Sequence, residues 1–115
     1  MEKFANDLDK LNKLSDDHSE WLASVGLDPE NPIEPIRRMR IRAEQAAGLF
    51  GMAVMRRDGD PVKAEVLKHY AAKLGDCFLW LLAAVRASNI NFDDVVVIAE
   101  SKLRWNKTCD DPSKF

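Results

Sequence analysis

Titratable side chains recur between residues 65 and 76 at the spacing of an α-helix. Four of them would lie within roughly 80° of one another on a helical wheel: Glu65, His69, Lys73 and Asp76. Carboxylates bind hard cations and lysines pair with phosphate, so the stripe holds the residue types for metal or phosphate chemistry. A solvated helix face carries the same pattern, and both interpretations stay open. Because this face continues into Trp80 and Ala83, which should be buried, we expect a cleft or a subunit interface at the border.

Several other chemistries have no support in the sequence. The chain lacks a glycine-rich phosphate loop, a nucleophile elbow and a paired-histidine zinc motif. His18, which we expect at the surface among acidic neighbours, and His69 both lack a nucleophile partner, so acyl transfer is not indicated. Cys77 and Cys109 have neither metal-ligand spacing nor a disulfide framework. This cysteine usage suits a reducing compartment, and we expect a cytoplasmic protein.

Tryptophans and arginines could recognise a nucleotide, but each has a plainer interpretation. Trp21, Trp80 and Trp105 are more typical of a core or an interface than of base stacking. If one of them stacks on a base, Trp105 beside Asn106 is the strongest candidate. The arginines between residues 37 and 42 could bind phosphate, yet they spread around a helix and are more typical of an exposed surface.

The chain has 115 residues, 46% of them hydrophobic and 31% charged, which supports a single packed domain over residues 1–115. Seventeen basic and nineteen acidic residues give a net charge of −2, so no overall field favours nucleic acid or an anionic membrane. No stretch is apolar enough for a membrane span, and the first residues lack the apolar part of a secretion signal. We therefore expect no nucleic-acid partner and no membrane partner.

Apolar residues at helical spacing, interrupted by proline and glycine, predict an all-α chain. The predicted helices span about 2–25, 35–57, 61–87 and 92–106, and a polar tail follows at 107–115. Three prolines between residues 29 and 35 must form a stiff connection after the first helix, and Asp58–Pro61 interrupts the chain again. The β-rich run Val95–Ile98 is assigned to the last helix because no strand partner is predicted elsewhere.

Two segments carry a family resemblance. The first runs from Lys73 to Leu82 and is followed by the turn Asn89–Asp94 and then by Lys102. The second is Ala43–Leu49 on the preceding helix. Over about residues 37–106 this order of features resembles the MazG-like nucleotide pyrophosphohydrolases. The resemblance implies an all-α, MazG-like four-helix bundle that is completed by oligomerisation.

Members of that family carry two acidic pairs on neighbouring helices, which hold magnesium between them. In this sequence, Gln45 and Gly48 stand at the places of the first pair, and Lys73 stands at the first place of the second. Only Asp76 keeps its carboxylate. The change matters because magnesium takes hard oxygen ligands and a polyphosphate substrate brings several negative charges. Lys73 could instead pair directly with phosphate.

The resemblance also implies roles for individual residues. Asp76 and Glu44 would be catalytic and would bind the metal, Mg²⁺ or Mn²⁺, with Glu65 as a further ligand. Three side chains would bind the phosphate and sugar oxygens of the substrate: Lys102, Asn106 and Lys73. Glu44 and Glu65 lie outside the family's register, and Glu44 is also spaced to form a surface ion pair with Arg40.

These roles describe a MazG-like pyrophosphohydrolase, which hydrolyses a ribo- or deoxyribonucleoside triphosphate to the monophosphate and pyrophosphate with a divalent metal. The expected assembly is a homodimer or homotetramer, because the helices carry more apolar surface than a monomer of this length can cover. The alternative is a catalytically inactive MazG-like module that binds a nucleotide or a protein, and the residues at positions 45, 48 and 73 favour it. A plain helical scaffold is the third interpretation.

Overall fold

The computed structural model describes the backbone of residues 2–111 and 113, and the side chains of residues 7–111 and 113. It contains four α-helices: α1 (Glu2–Ser24), α2 (Ile33–Val54), α3 (Pro61–Ala87) and α4 (Phe92–Thr108). No strand occurs in these described ranges, so the all-α prediction with four helices is confirmed. The run Val95–Ile98 is helical, and α4 ends two residues later than predicted. None of the described helices is long and apolar enough to cross a bilayer.

Two helices end in a residue with a left-handed backbone. After α1, Gly26 adopts a φ of 84°, and the amide of Leu27 donates a hydrogen bond to the carbonyl of Leu22 at 2.9 Å. The Leu27 side chain then packs against the small core that contains Leu22, which is the apolar contact typical of this motif. After α3, Asn89 takes the place of the glycine, with a φ of 59°. Both reversals are therefore encoded by single residues in the local sequence.

The α2–α3 hairpin is the main packed unit of the fold. The two helices contact each other along their lengths and are joined by the turn at Asp58–Pro61. The buried residues of α2 include Ala46 and Ala53, and α3 contributes Val66 near its start. Small side chains let two helix backbones approach closely, so this pairing is tight but leaves the outer apolar faces of both helices uncovered.

α1 docks on α3 over a short stretch. A small core of Leu22, Trp80 and Ala83 joins the two helices, and Met39 of α2 packs at its edge. Arg86 near the end of α3 forms an ion pair with Asp16 of α1. Next to this contact, residues of α1, α2 and α3 leave a cleft between the three helices.

α4 is only weakly packed within the chain. It makes few contacts with α3, and none of its side chains is buried. Val97 is 59% exposed and Leu103 is 55% exposed, although both are large and apolar. Most of the stability of helices in proteins comes from tertiary packing, and the described contacts of α4 supply little of it.

The N-cap of α3 is a side-chain hydrogen bond that substitution can test. Oδ1 of Asp60 accepts a hydrogen bond from the amide of Val62 at 2.9 Å, and Pro61 occupies the first turn. Asp60→Ala should lower the free energy of unfolding by about 1 kcal/mol, whereas Asp60→Asn, which can also cap, should change it little. Chemical denaturation followed by circular dichroism measures both.

Asp58→Ala is the matched control, because the exposed Asp58 carboxylate bonds to Lys63 at 2.7 Å and not to a helix amide. An equal loss of stability in both alanine variants would contradict a capping role for Asp60.

Candidate functional site

The cleft between α1, α2 and α3 is the best candidate site because it gathers aromatic rings and opposite charges. Its volume is about 340 Å³, and six residues line it: His18, Trp21, Arg42, Asp76, Leu79 and Trp80. The lining residues of α1 and of α3 are spaced so that each pair lies on one face of its helix. His18 and Trp21 are neighbours at i and i+3 on α1, and Asp76 and Trp80 are neighbours at i and i+4 on α3.

Three rings form the apolar wall of the cleft. The rings of His18 and Trp21 are stacked, with centroids 6.0 Å apart and an interplanar angle of 13°. His18 meets Trp80 edge to face, with centroids 5.2 Å apart. Trp80 is 9% exposed and belongs to the core, whereas Trp21 is 54% exposed. Trp21 therefore offers an accessible indole face, which is the surface that a planar ligand would need.

Arginines line the α2 side of the cleft. Arg42 is half-buried there, and its Nη1 donates a hydrogen bond to Oε1 of Gln45 at 2.9 Å. Because Gln45 is neutral, this contact positions the guanidinium without cancelling its charge. The guanidinium carbon of Arg38 lies 5.3 Å from the ring centroid of Trp80, a cation–π contact. A smaller cavity of about 190 Å³ shares Arg42 and extends the cleft toward Arg37 and Arg38.

Glu34 balances part of this positive charge. Its carboxylate accepts hydrogen bonds from Arg37 at 2.7 Å and from Arg38 at 2.9 Å. The bond from Arg37 is the largest cause that holds the pKa of the Glu34 carboxyl below its usual range, and the bond from Arg38 adds to it. Glu34 thus fixes two arginines at the rim and leaves Arg42 as the cation inside the cleft.

Asp76 is the predicted site residue that the structure places in the cleft. Its side chain is half-buried, and it has no ion-pair partner among the described residues. Lys73 is also half-buried and lies one turn earlier on the same helix. The sequence indicated a cleft or an interface between Asp76 and Trp80, and both residues line a cleft.

The other predicted metal ligands lie outside the cleft. Glu44 forms the ion pair with Arg40 that its spacing indicated, at 3.3 Å and with both side chains exposed. Glu65 contacts His69 at 3.6 Å and Lys68 at 3.9 Å on the exposed side of α3. Within the described part of the chain, no three His, Cys, Asp or Glu residues come close enough to hold a metal ion. The ligand set of one chain therefore does not fit magnesium, which needs several oxygen donors around one point.

The predicted substrate-binding residues of α4 also do not line the cleft. Lys102 is exposed and Asn106 is half-buried, and neither lines the cleft. Trp105, the tryptophan that the sequence favoured for base stacking, is 49% exposed on the same helix. The tryptophans that line the cleft beside Asp76 are instead Trp21 and Trp80.

His18 was expected at the surface, and this prediction was wrong: the residue is 9% exposed. Its acidic neighbours in sequence suggested a solvated position, but the residue also continues an apolar helical pattern from Leu11 through Leu14 to Leu22. That pattern was the signal that could have identified it as a core-facing side chain. Arg42 carried no comparable signal, because its role depends on where α1 crosses the hairpin.

Comparisons with known proteins add no relative to this picture. A search of protein-family models found no match, and searches of curated proteins and of solved structures found none either. The resemblance to MazG-like proteins therefore rests on the residues of this chain alone.

The pH dependence of stability tests the environment of His18. Burial lowers the pKa of His18, and its Nδ1 has no hydrogen-bond partner within the described part of the chain. The unfolded chain therefore binds the proton more readily, so stability should be complete above the unfolded pKa of about 6.5 and should fall as pH drops through the lower folded value. His18→Phe, which keeps the ring but cannot titrate, should flatten this slope in denaturation curves recorded between about pH 5 and 7.

The charged groups that face His18 in the cleft are Arg42 and Asp76, which have opposite signs. His69→Phe is the matched control on an exposed histidine and should leave most of the slope in place. A slope that survives in His18→Phe and disappears in His69→Phe would contradict this assignment.

Proposed function

We propose that this chain is a MazG-like domain that binds a nucleoside triphosphate in the cleft between α1, α2 and α3. One observation carries the proposal: the cleft combines the exposed indole of Trp21 and the buried indole of Trp80 with the guanidinium of Arg42. Its volume of about 340 Å³ lies within the roughly 300–1,000 Å³ typical of small-molecule sites. The family resemblance supports a nucleotide as the ligand, and the chemistry of the cleft supports it independently.

The base and the phosphates of a nucleotide each have a matching surface. A base can stack on Trp21, and such stacking contributes roughly 1–3 kcal/mol irrespective of the base. Arg42 can bind a phosphate through two parallel hydrogen bonds, since its guanidinium carries a full charge beside a neutral partner. Arg37 and Arg38 extend this positive edge through the adjoining cavity. The negative charges of a triphosphate would spread over this row of arginines.

Binding without turnover is the function that the geometry supports best. Three of the four carboxylate places of the resembled family hold Gln45, Gly48 and Lys73. The replacement acids Glu44 and Glu65 are engaged in exposed ion pairs with Arg40 and Lys68 outside the cleft. A metal that activates water needs several oxygen ligands held around it, and a single aspartate does not provide them. The proposed role is therefore a nucleotide-binding module.

Hydrolysis is the second candidate, and the position of Asp76 favours it. The Asp76 carboxylate is half-buried in the cleft and has no ion-pair partner in the described residues, so it is available to bind a cation. In this version, a homodimer or homotetramer releases pyrophosphate and a monophosphate with Mg²⁺ or Mn²⁺, with Asp76 and Glu44 as catalytic residues. Glu65 would complete the metal ligands, and three residues would contact the substrate: Lys73, Lys102 and Asn106.

Replacement of Trp21 tests the binding site. The probes are ribo- and deoxyribonucleoside triphosphates with a metal chelator present, and the readouts are protection against thermal unfolding and calorimetric affinity. Trp21→Ala should raise the dissociation constant by about fivefold to a hundredfold, because it removes the base-stacking surface. Trp21 is 54% exposed, so the variant should still fold.

Trp105→Ala is the matched control, since Trp105 has similar exposure on α4 and does not line the cleft. Affinity should stay within about twofold of the parent chain in this variant. Equal losses in the two variants, or no protection by any triphosphate in the parent chain, would refute binding in this cleft.

Restoration of the carboxylates separates the two candidate functions. Gly48 has room for a side chain, because no heavy atom lies within 4 Å of the position that a Cβ would take. The variant Gln45→Glu, Gly48→Glu, Lys73→Glu should release pyrophosphate with magnesium at about ten times the chelator background or more, since the oxygen ligands are then complete. Adding Asp76→Ala to this variant should abolish the gain.

The parent chain should release no pyrophosphate above the chelator control. Metal-dependent release from the parent that disappears in Asp76→Ala alone would favour the hydrolase. Failure of the restored variant to gain any activity while it still binds nucleotide would contradict the register of the resemblance.

A further inference from the structure

Two arginines beside the cleft are bonded to one carboxylate oxygen. Oε1 of Glu34 accepts a hydrogen bond from Nη2 of Arg37 at 2.7 Å and another from Nε of Arg38 at 2.9 Å. Both arginines line the cavity of about 190 Å³ that adjoins the cleft and shares Arg42 with it. Glu34 itself lines neither cavity. A single oxygen thus holds two of the guanidinium groups that line this cavity.

The backbone that carries Glu34 is restrained by its neighbours. Glu34 lies in the first turn of α2 and is followed by Pro35, which is buried. Pro32 precedes the helix, and the amide of Ile33 donates a hydrogen bond to Oδ1 of Asn31 at 3.0 Å. Because each proline fixes its own φ, the turn between them has little conformational freedom. The Glu34 carboxylate is therefore held on a stiff segment, and its side chain is only 28% exposed.

Arg38 is held by two contacts that leave most of its hydrogen-bond donors free. Its Nε bonds to Glu34, and its guanidinium carbon lies 5.3 Å from the ring centroid of Trp80. Within the described part of the chain, no hydrogen bond engages the two terminal nitrogens of Arg38. A guanidinium has five N–H donors in a fixed plane, so four of them stay available once Nε is bonded. The contacts therefore orient this group without using up its capacity to bind phosphate.

We propose that Glu34 is a positioning residue that holds Arg37 and Arg38 for the distal phosphates of a polyphosphate ligand, so that affinity depends on the number of phosphates. This inference rests on the proposed nucleotide-binding function. With the base on Trp21 and the first phosphate at Arg42, the second and third phosphates extend into the adjoining cavity. Ordering a long side chain during binding costs free energy, and a site that orders it beforehand avoids this cost. A monophosphate ends at the cleft and gains nothing from the oriented pair.

The charge of Glu34 and its acceptor oxygen act on a phosphate in opposite directions. The negative charge repels the phosphate, whereas the oxygen orients two cations that attract it. Glutamine separates the two effects, because its amide oxygen can accept both bonds that reach Oε1 while the charge is removed. Alanine removes the charge and the acceptor together. The two variants therefore distinguish a positioning residue from a simple negative charge.

The test compares the monophosphate and the triphosphate of one nucleoside by calorimetry, with a metal chelator present. Glu34→Ala should raise the dissociation constant of the triphosphate by about fivefold to a hundredfold, because the ligand must then order two long side chains. The dissociation constant of the monophosphate should stay within about twofold of the parent value. Glu34→Gln should bind the triphosphate at least as tightly as the parent chain, since it keeps the acceptor and loses the repulsive charge.

Glu30→Ala is the matched control, because it removes the same charge from an exposed residue before α2 that lines neither of the two cavities. Its affinity for both ligands should stay within about twofold of the parent value. An unchanged affinity of Glu34→Ala for the triphosphate would overturn the proposal. So would an equal loss for both ligands, which indicates a purely structural role, or a loss in Glu34→Gln as large as that in Glu34→Ala.

Inorganic tripolyphosphate separates this inference from the proposed function, since it carries three phosphates and no base. It should bind the parent chain, lose affinity in Glu34→Ala and keep its affinity in Trp21→Ala. If tripolyphosphate binds in this way but no nucleotide does, the nucleotide-binding function is refuted and the role of Glu34 stands. If a triphosphate binds with the same affinity to the parent chain and to Glu34→Ala, the role of Glu34 alone is refuted. Absence of binding by both probes would refute both.

Discussion

The docking of α1 onto α3 at Trp80 is the contact on which the candidate site depends. Trp80 is 9% exposed, and it packs with Leu22 and Ala83, meets the edge of His18 and lies under the guanidinium of Arg38. One indole thus joins elements from three helices. Without that contact, His18 and Trp21 would not reach Arg42 and Asp76, and the cleft would have no aromatic wall. The site therefore forms because α1 docks on α3, and no single helix could form it.

The same hairpin that supplies Trp80 also creates an excess of apolar surface. α2 and α3 pair closely through small residues such as Ala46 and Ala53, which brings the backbones together but leaves the large side chains facing outward. α1 covers one side over a short stretch, and α4 covers little of the rest. The apolar side chains on the outer faces of this hairpin, such as Phe50 and Leu74, therefore stay exposed in the described chain.

The sequence predicts the local elements well because their signals are local. Gly26, the Asp58–Pro61 turn and Asn89 mark the helix ends, since each conformation depends on the residue itself and its immediate neighbours. Asp76 was placed correctly at the border of a buried face by helical period alone. His18 and Arg42 were not identified as site residues, because their environment is set by the angle at which α1 crosses α3. The surroundings of Lys102 and Asn106 could not be predicted for the same reason, since α4 has almost no packing in the chain that would fix it.

Gln45 and Lys73, which stand at carboxylate places of the resembled family, lie one turn from the cleft residues Arg42 and Asp76. A glutamate at position 45 would pair with Arg42 one turn away and cancel its charge, whereas Gln45 accepts the same hydrogen bond at 2.9 Å and leaves the charge intact. Lys73 adds a positive charge one turn before Asp76. A site with several carboxylates attracts a metal and uses it to neutralise a triphosphate, whereas a site with arginine and lysine neutralises the phosphates directly. Under the proposed binding function, Gln45 and Lys73 would therefore both favour direct binding of phosphate over binding of a metal.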